Sequence, residues 1–155
     1  MKIKQANLSD LEQLAVLFDL YRVFYRKKTD LAAAKKFLTA RIQQEESIIY
    51  VAEDEQGKLA GFVQLYPLFS STRMKRMWLL NDLFVHKNFR GQGISKLLIQ
   101  SCKAYAKATN ACGLSLETEK SNIIGNQLYP IENFELDTEH NYYFWAVECF
   151  AKQIG

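Results

Sequence analysis

The chain has 155 residues, 48% of them hydrophobic and 24% charged, with a formal net charge of +3. That length suits a single domain, residues 1–155, with a sizeable core; no apolar run reaches the roughly 20 residues of a membrane helix, and Met1-Lys2-Ile3-Lys4 does not lead into a signal-peptide core, so a cytoplasmic protein without a membrane partner is expected. The mild charge fits an anionic ligand without demanding nucleic acid, and Cys102, Cys112 and Cys149 form neither a disulfide framework nor a metal-ligand spacing, so no metal is expected.

In chain order, Ile3-Lys4-Gln5-Ala6 reads as a first strand, and Ser9-Asp10-Leu11-Glu12 has the spacing of a capping box that opens a helix. Leu11, Leu14, Ala15, Phe18, Tyr21 and Tyr25 keep one face apolar through about residue 26, where Arg26-Lys27-Lys28 suits the negative end of the helix dipole. Thr29 or Asp30 caps a second helix, which turns Leu31, Ala34, Phe37, Leu38 and Ile42 inward. It ends near Glu45-Glu46, an acidic finish that the dipole disfavours, so this end either frays or is pinned. From Ser47 the period changes: Ile48 to Ala52 and Leu59 to Tyr66, around the turn Asp54 to Gly57, predict a hairpin. Pro67 lacks a ladder donor and places a strand end, a bulge or an edge there. The basic cluster Arg73-Met74-Lys75-Arg76 follows in a loop and reads as solvated surface, and Met77 to His86, apolar on both faces, predicts a central strand.

Next comes Arg90-Gly91-Gln92-Gly93-Ile94-Ser95, leading into a helix whose apolar stripe runs Ile94, Leu97, Leu98, Cys102, Ala104, Tyr105 and Ala108. The two glycines let backbone amides approach an anion closely, at the end of the helix where the first amides lack intrahelical partners and the dipole is positive. Taken alone, the same residues describe an ordinary tight strand-to-helix turn equally well. Leu114 to Thr118 reads as a short strand, and Ser121 to Tyr129 as a short helix stopped by Pro130. Phe134 to Asp137 and Tyr142 to Val147 read as a closing antiparallel pair joined by Thr138-Glu139-His140-Asn141. The order β-αα-βββ-α-β-α-ββ is a mixed α/β domain with antiparallel hairpins early and late and a parallel pairing around the central helix.

Two segments resemble the GNAT superfamily of acyl-CoA-dependent N-acyltransferases, and the likeness extends over nearly the whole chain. Arg90-Gly91-Gln92-Gly93-Ile94-Ser95, preceded by Asp82-Leu83-Phe84-Val85, is similar to the family's Arg/Gln-x-x-Gly-x-Gly/Ala pyrophosphate loop. Asn122-x-x-Gly125-x-x-Leu128-Tyr129-x-x-x-Asn133-Phe134 is similar to its Asn-x-x-Ala-x-x-Leu-Tyr-x-x-x-Gly-Phe segment. Ser95 and Asn133 stand where small residues or glycine are usual, and Pro130 after the tyrosine is a departure.

The resemblance implies a single mixed-sheet GNAT domain, with acetyl-CoA as acyl donor and no metal. It implies that backbone groups of Leu83, Phe84 and Val85 hold the pantetheine arm, with Asn122 and Gly125 beside it. Arg90, Gly91, Gln92, Gly93, Ile94, Ser95 and Lys96 would hold the pyrophosphate, and Tyr129 would return a proton to the departing thiolate. Asp82 either orients or deprotonates the amine, or satisfies a buried structural bond; His86 and Glu117 are weaker alternatives for the base. Tyr21, Phe24 and Tyr25 line an acceptor pocket or belong to the core. Direct attack in a ternary complex is expected, because neither Cys102 nor Cys112 has an obvious activating histidine beside it. The stretch from Gly61 through Val85 looks most like the small polyamine acetyltransferases, which implies a small amine acceptor. The alternatives are a protein lysine or N-terminus, or a CoA-binding module without activity. The aromatic final strand would suit a homodimer with paired or covered edges.

Overall fold

Five strands lie side by side in their order along the chain: β1 (Lys2–Gln5), β2 (Ile48–Glu53), β3 (Leu59–Ser70), β4 (Lys75–Val85) and β5 (Leu114–Ser115). This is a computed structural model, and it describes residues 1–147. The first four strands are antiparallel neighbours, whereas β5 runs parallel to β4. A parallel pair requires a crossover, and helix α3 (Ile94–Ala108) supplies it. Helices α1 (Leu11–Phe24) and α2 (Leu31–Gln43) share a core with one face of the sheet, and α3 packs on β2, β3 and β4 from the other. The chain forms two compact units, Met1–Thr118 and a second that begins at Glu119 and contains α4 (Ile123–Ile131).

Local chemistry sets the ends of the helices. The capping box lies two residues earlier than Ser9-Glu12: Asn7 Oδ1 accepts from Ser9 N–H at 2.8 Å, and Asp10 Oδ2 accepts from Asn7 N–H at 3.0 Å. A short 3-10 turn, Leu8–Asp10, therefore precedes α1. At the far end α1 stops at Phe24 because Arg26 turns left-handed at φ 63°. Asp30 caps α2 through Ala33 N–H at 3.0 Å. The acidic end of α2 is pinned: Glu45 reverses the chain at φ 52°, and the Glu46 carboxylate lies 2.6 Å from Arg41 Nε.

The core between the α1–α2 layer and the sheet holds Leu14, Phe18, Leu38, Val51, Phe62 and Phe84, and truncating any such fully enclosed Leu or Phe to alanine costs about 2–5 kcal/mol. On the other side the buried stripe of α3 is Ile94, Leu98, Ile99, Cys102 and Ala106. It is rotated from the expected one, since Leu97, Ala104 and Ala108 are exposed; apolar spacing in a helix rich in alanine is compatible with either phase, and packing against the sheet selects one.

A bulge in β4 determines what each face of the sheet presents. Gln64 opposes Asp82 while Leu65 opposes Leu80, which leaves Asn81 as the extra residue. Below the bulge, Trp78 and Leu80 share a face with Leu65, toward α3, where Trp78 Nε1 donates to Thr109 Oγ1 at 2.9 Å and the indole packs on Tyr105. Above it, Asp82 and Phe84 turn to the α1 side. Leu80 and Asp82 therefore lie on opposite faces rather than on the shared face that simple alternation predicts, because one inserted residue inverts the pleat. Pro67 lies within β3 rather than at its end, beyond Leu65, where β2 no longer runs alongside.

The expected closing β-pair is corrected. The turn forms, with Asp137 Oδ1 accepting from Glu139 N–H at 2.9 Å and from His140 N–H at 3.1 Å. No residue from Phe134 to Val147 joins a ladder, however, and Tyr142, Tyr143, Phe144 and Trp145 are 78–92% exposed. A local turn needs only its own side chain, whereas a strand needs a neighbouring edge, and β-propensity alone does not provide one. Pro130 likewise does not stop α4, which continues to Ile131; so close to the helix end, a missing amide removes one bond from the last turn only.

Candidate active site

β5 is in register with β4 at Trp78–Leu114 and Leu79–Ser115, and just before it Trp78 N–H donates to Gly113 C=O at 3.1 Å and Cys112 N–H to Arg76 C=O at 2.8 Å, while β4 continues to Val85. Its upper half thus has β3 on one side and, among the described residues, no strand on the other. His86 N–H donates to Ala60 C=O at 2.8 Å, which fixes the phase: by alternation Phe84 also turns its peptide groups toward β3, and Leu83 and Val85 turn theirs to the open edge. The expected backbone contribution of this segment therefore reduces to Leu83 and Val85. Gly61 makes the close approach of β3 possible, since a Cβ there would lie 2.6 Å from the Phe84 carbonyl oxygen.

The chain leaves β4 through a 3-10 turn, Lys87–Phe89, which the His86 ring caps by accepting from Asn88 N–H at 3.2 Å. His86 is thereby occupied in turn structure, and Glu117 is exposed. Arg90 folds back: its Nε donates to Val85 C=O at 3.0 Å and its guanidinium lies over the Phe84 ring. This side chain braces the loop against β4, while Gly91, Gln92 and Gly93 remain exposed. Gly91 and Gly93 are at φ 76° and 75° with nothing within 4 Å of a Cβ position, so conformation and not crowding requires glycine. The first intrahelical bond of α3 runs from Leu97 N–H to Gly93 C=O at 3.2 Å. The amides of Ile94, Ser95 and Lys96 precede it, at the positive end of the helix, where an anion is stabilised by backbone donors and dipole together.

On the α1 side of β4, Asp82 is 3% exposed. Its Oδ2 accepts from Gln64 Nε2 at 2.6 Å and its Oδ1 from Asn81 Nδ2 at 3.0 Å, and Tyr21 of α1 also hydrogen-bonds the carboxyl. Burial pushes the carboxyl above the usual carboxylate range, opposed by the bonds from Gln64, Tyr21 and Asn81. All three partners are neutral. Burial and the nearby Asp82 charge push the Tyr66 phenol up to about 12, with Arg41 of α2 opposing. Tyr21 packs edge-on against Tyr25, Phe62 and Phe84, whereas Phe24 points outward. Gln64, Ser47 and Asn81 are the polar partners that reading the residues had not singled out. The signal for Gln64 was present, as an amide within the apolar run Leu59 to Tyr66 that has to find a bond once buried.

In the second unit, Asn122 Oδ1 caps α4 through Gly125 N–H at 3.1 Å. A Cβ on Gly125 would meet the Asn122 amide nitrogen at 2.5 Å, so glycine is what permits this cap. Tyr129, half-buried, packs edge-on against Phe134, whose N–H closes on the Tyr129 carbonyl at 2.9 Å. Asn133 takes the left-handed conformation at φ 60°, the role expected of a residue standing in for glycine. Cys102 is buried, with its thiol pushed by desolvation up to about 12, which disfavours a thiolate nucleophile there. No group of three or more His, Cys, Asp or Glu side chains among the described residues is arranged to hold a metal.

An open strand edge beside a glycine loop and a helix N-terminus is the arrangement of an acyl-CoA-dependent transferase. A solved probable acetyltransferase has the same fold, with a TM-score of 0.91 and 38% identity over 96% of this chain and 99% of that one. An uncharacterized N-acetyltransferase of Bacillus subtilis, YhfO, is 45% identical over 92% of this chain and 95% of its own length. A probable acetyltransferase of Haemophilus influenzae is 30% identical over 96% of this chain and 100% of its own. Residues 14–134 match the acetyltransferase (GNAT) family, and the chain belongs to it. It is an acetyltransferase whose acyl donor is acetyl-CoA.

Proposed function

We propose that the protein transfers the acetyl group of acetyl-CoA to the primary amine of a small molecule, a polyamine, an amino acid or a related amine, by direct attack in a ternary complex. The observation that carries this reading is the Asp82 carboxylate, buried and, among the described residues, bonded by neutral donors only. A buried carboxylate without a cationic partner attracts one, and an alkyl ammonium, with a pKa near roughly 10, is a cation that has to lose a proton before it can attack. Asp82 holds the ammonium and takes its proton, directly or through water. Acetyl-CoA supplies the activated thioester; the outward groups of Leu83 and Val85 bond its pantetheine arm, with Phe84 beneath them. Gly91, Gln92, Gly93, Ile94, Ser95 and Lys96 hold the pyrophosphate, and Arg90 fixes the loop that presents them. Asn122 and Gly125 set the start of α4, and Tyr129 returns a proton to the leaving thiolate.

Both units act as one domain, a reading supported by a family match that runs from residue 14 to residue 134. The protein works in the cytoplasm, which agrees with the absence of a long apolar helix among the described residues. It works as a homodimer, for which the exposed run Tyr142 to Trp145 is the support, since apolar groups of that size in sequence favour a partner surface. The test is CoA-thiol release over a panel of polyamines, amino acids and lysine peptides. Turnover on small amines is expected. Turnover on peptides alone, or acetyl-CoA binding without any turnover, would overturn the assignment.

A further inference from the structure

The polar chain behind Asp82 crosses three strands and has one direction. Ser47, at the entrance to β2, donates from Oγ to Gln64 Oε1 on β3 at 2.8 Å, and Gln64 Nε2 donates to Asp82 Oδ2 on β4 at 2.6 Å. A carboxylate can only accept, so it takes the amide nitrogen of Gln64, and the Ser47 hydroxyl, able to donate or accept, donates to the Oε1 that remains and anchors that end of the amide. Gln64 is 0% exposed and Ser47 8%, so water does not compete for either bond. The β4 bulge places Gln64 directly opposite Asp82, while Asn81, the bulged residue, holds the other carboxylate oxygen.

We infer that Gln64, anchored by Ser47, is the positioning residue that fixes the Asp82 carboxylate and favours its ionised form for acetyl transfer. The inference rests on the proposed role of Asp82 as the group that receives the amine proton. Gln64 touches neither amine nor thioester in this scheme. It removes the rotational freedom of the carboxylate and favours its charged form by hydrogen bonding. The titratable and charged groups around this carboxyl are Tyr21 from α1, Tyr66 from β3 and, through Tyr66, Arg41 from α2. Tyr66 stays neutral at physiological pH, with its phenol near 12, which leaves Asp82 as the group whose titration Gln64 governs.

The experiment compares the pH dependence of kcat/KM for the amine in wild type, Asp82→Asn, Gln64→Met and Ser47→Ala, with KM for acetyl-CoA and thermal melts measured alongside. Gln64→Met keeps the volume and removes a donor to the charged carboxyl, so the acidic limb moves up by about one pH unit and neutral-pH kcat/KM falls about ten-fold, with KM for acetyl-CoA unchanged. Ser47→Ala shifts the limb in the same direction by less, because the amide keeps its bond to Asp82 but loses the bond to its oxygen that holds it in place. If Gln64→Met does not fold, Ser47→Ala decides: a limb that stays in place overturns the inference. A lowered melting temperature with an unmoved limb in Gln64→Met makes the pair structural only and also overturns it. Should Asp82→Asn retain the wild-type limb and rate, it is the parent reading of Asp82 that fails; loss of the limb in Asp82→Asn without a shift in Gln64→Met defeats the positioning role alone.

Discussion

The glycine loop that follows β4 and the Asp82 cluster flank the same half-strand and are built on opposite principles. The loop, Gly91 to Lys96, is exposed at Gly91, Gln92, Gly93 and Lys96, and its proposed role rests on the backbone, with two residues at positive φ followed by the first amides of α3. In the Asp82 cluster the carboxyl, Gln64 and Ser47 are buried, and side chains from α1, the entrance to β2, β3 and β4 bond one another. A backbone site tolerates changes in most of its side chains and fails when its dihedrals become inaccessible. A side-chain site fails when a single partner is removed, because the groups bonded to it are then left short of a bond.

The largest effect is expected outside both regions, at the proposed acid. Tyr129→Phe should lower kcat by about 10²–10⁴-fold with little change in either KM, as read from CoA-thiol release. An unchanged kcat would leave Tyr129 as a packing partner of Phe134.

At the side-chain end, the acidic limb of kcat/KM for the amine should lie above the usual carboxylate range, because burial raises the Asp82 carboxyl against the bonds that lower it. The same shift governs stability: the contribution of Asp82 is full below the ordinary carboxylate pKa and is lost as pH rises through the raised folded value. Melts taken across pH should therefore show wild type losing ground to Asp82→Asn as the pH increases.

At the backbone end, Gly93→Val forces a β-branched residue to φ 75°, at a cost of about 1–2 kcal/mol. KM for acetyl-CoA should rise roughly ten-fold while KM for the amine stays near wild type, a split that the side-chain end would not produce. Between the two ends, Gly61→Ala places a Cβ 2.6 Å from the Phe84 carbonyl and pushes β3 away from β4. A stability loss of about 1–3 kcal/mol by urea denaturation is expected, with a modest rise in KM for acetyl-CoA.

The contrast also explains what could be read from the residues alone. The loop was legible because glycine at positive φ is recorded in residue identity, and the first nine elements of β-αα-βββ-α-β-α-ββ follow from periodicity and caps. Asn133 was legible for the same reason as the glycines. The cluster was not, because the bulge at Asn81 has no compositional mark, and without it Asp82 is assigned to the face of Leu80 and Gln64 is only an odd residue in a strand. The capping box shifted because Asn7 and Ser9 both satisfy its chemistry, and the preceding 3-10 turn selects Asn7. The closing strands failed because Tyr142 to Val147 have the composition of a strand, while a ladder depends on an edge that lies elsewhere in space.

Initial rates measured over a grid of acetyl-CoA and polyamine concentrations bear on all of these roles at once, since they report whether both substrates occupy the site together. Direct attack by an amine held at Asp82 predicts reciprocal plots that intersect and a product carrying one acetyl group on a primary nitrogen. Parallel lines, which mark an acetylated enzyme, or no CoA release with any small amine, would contradict it.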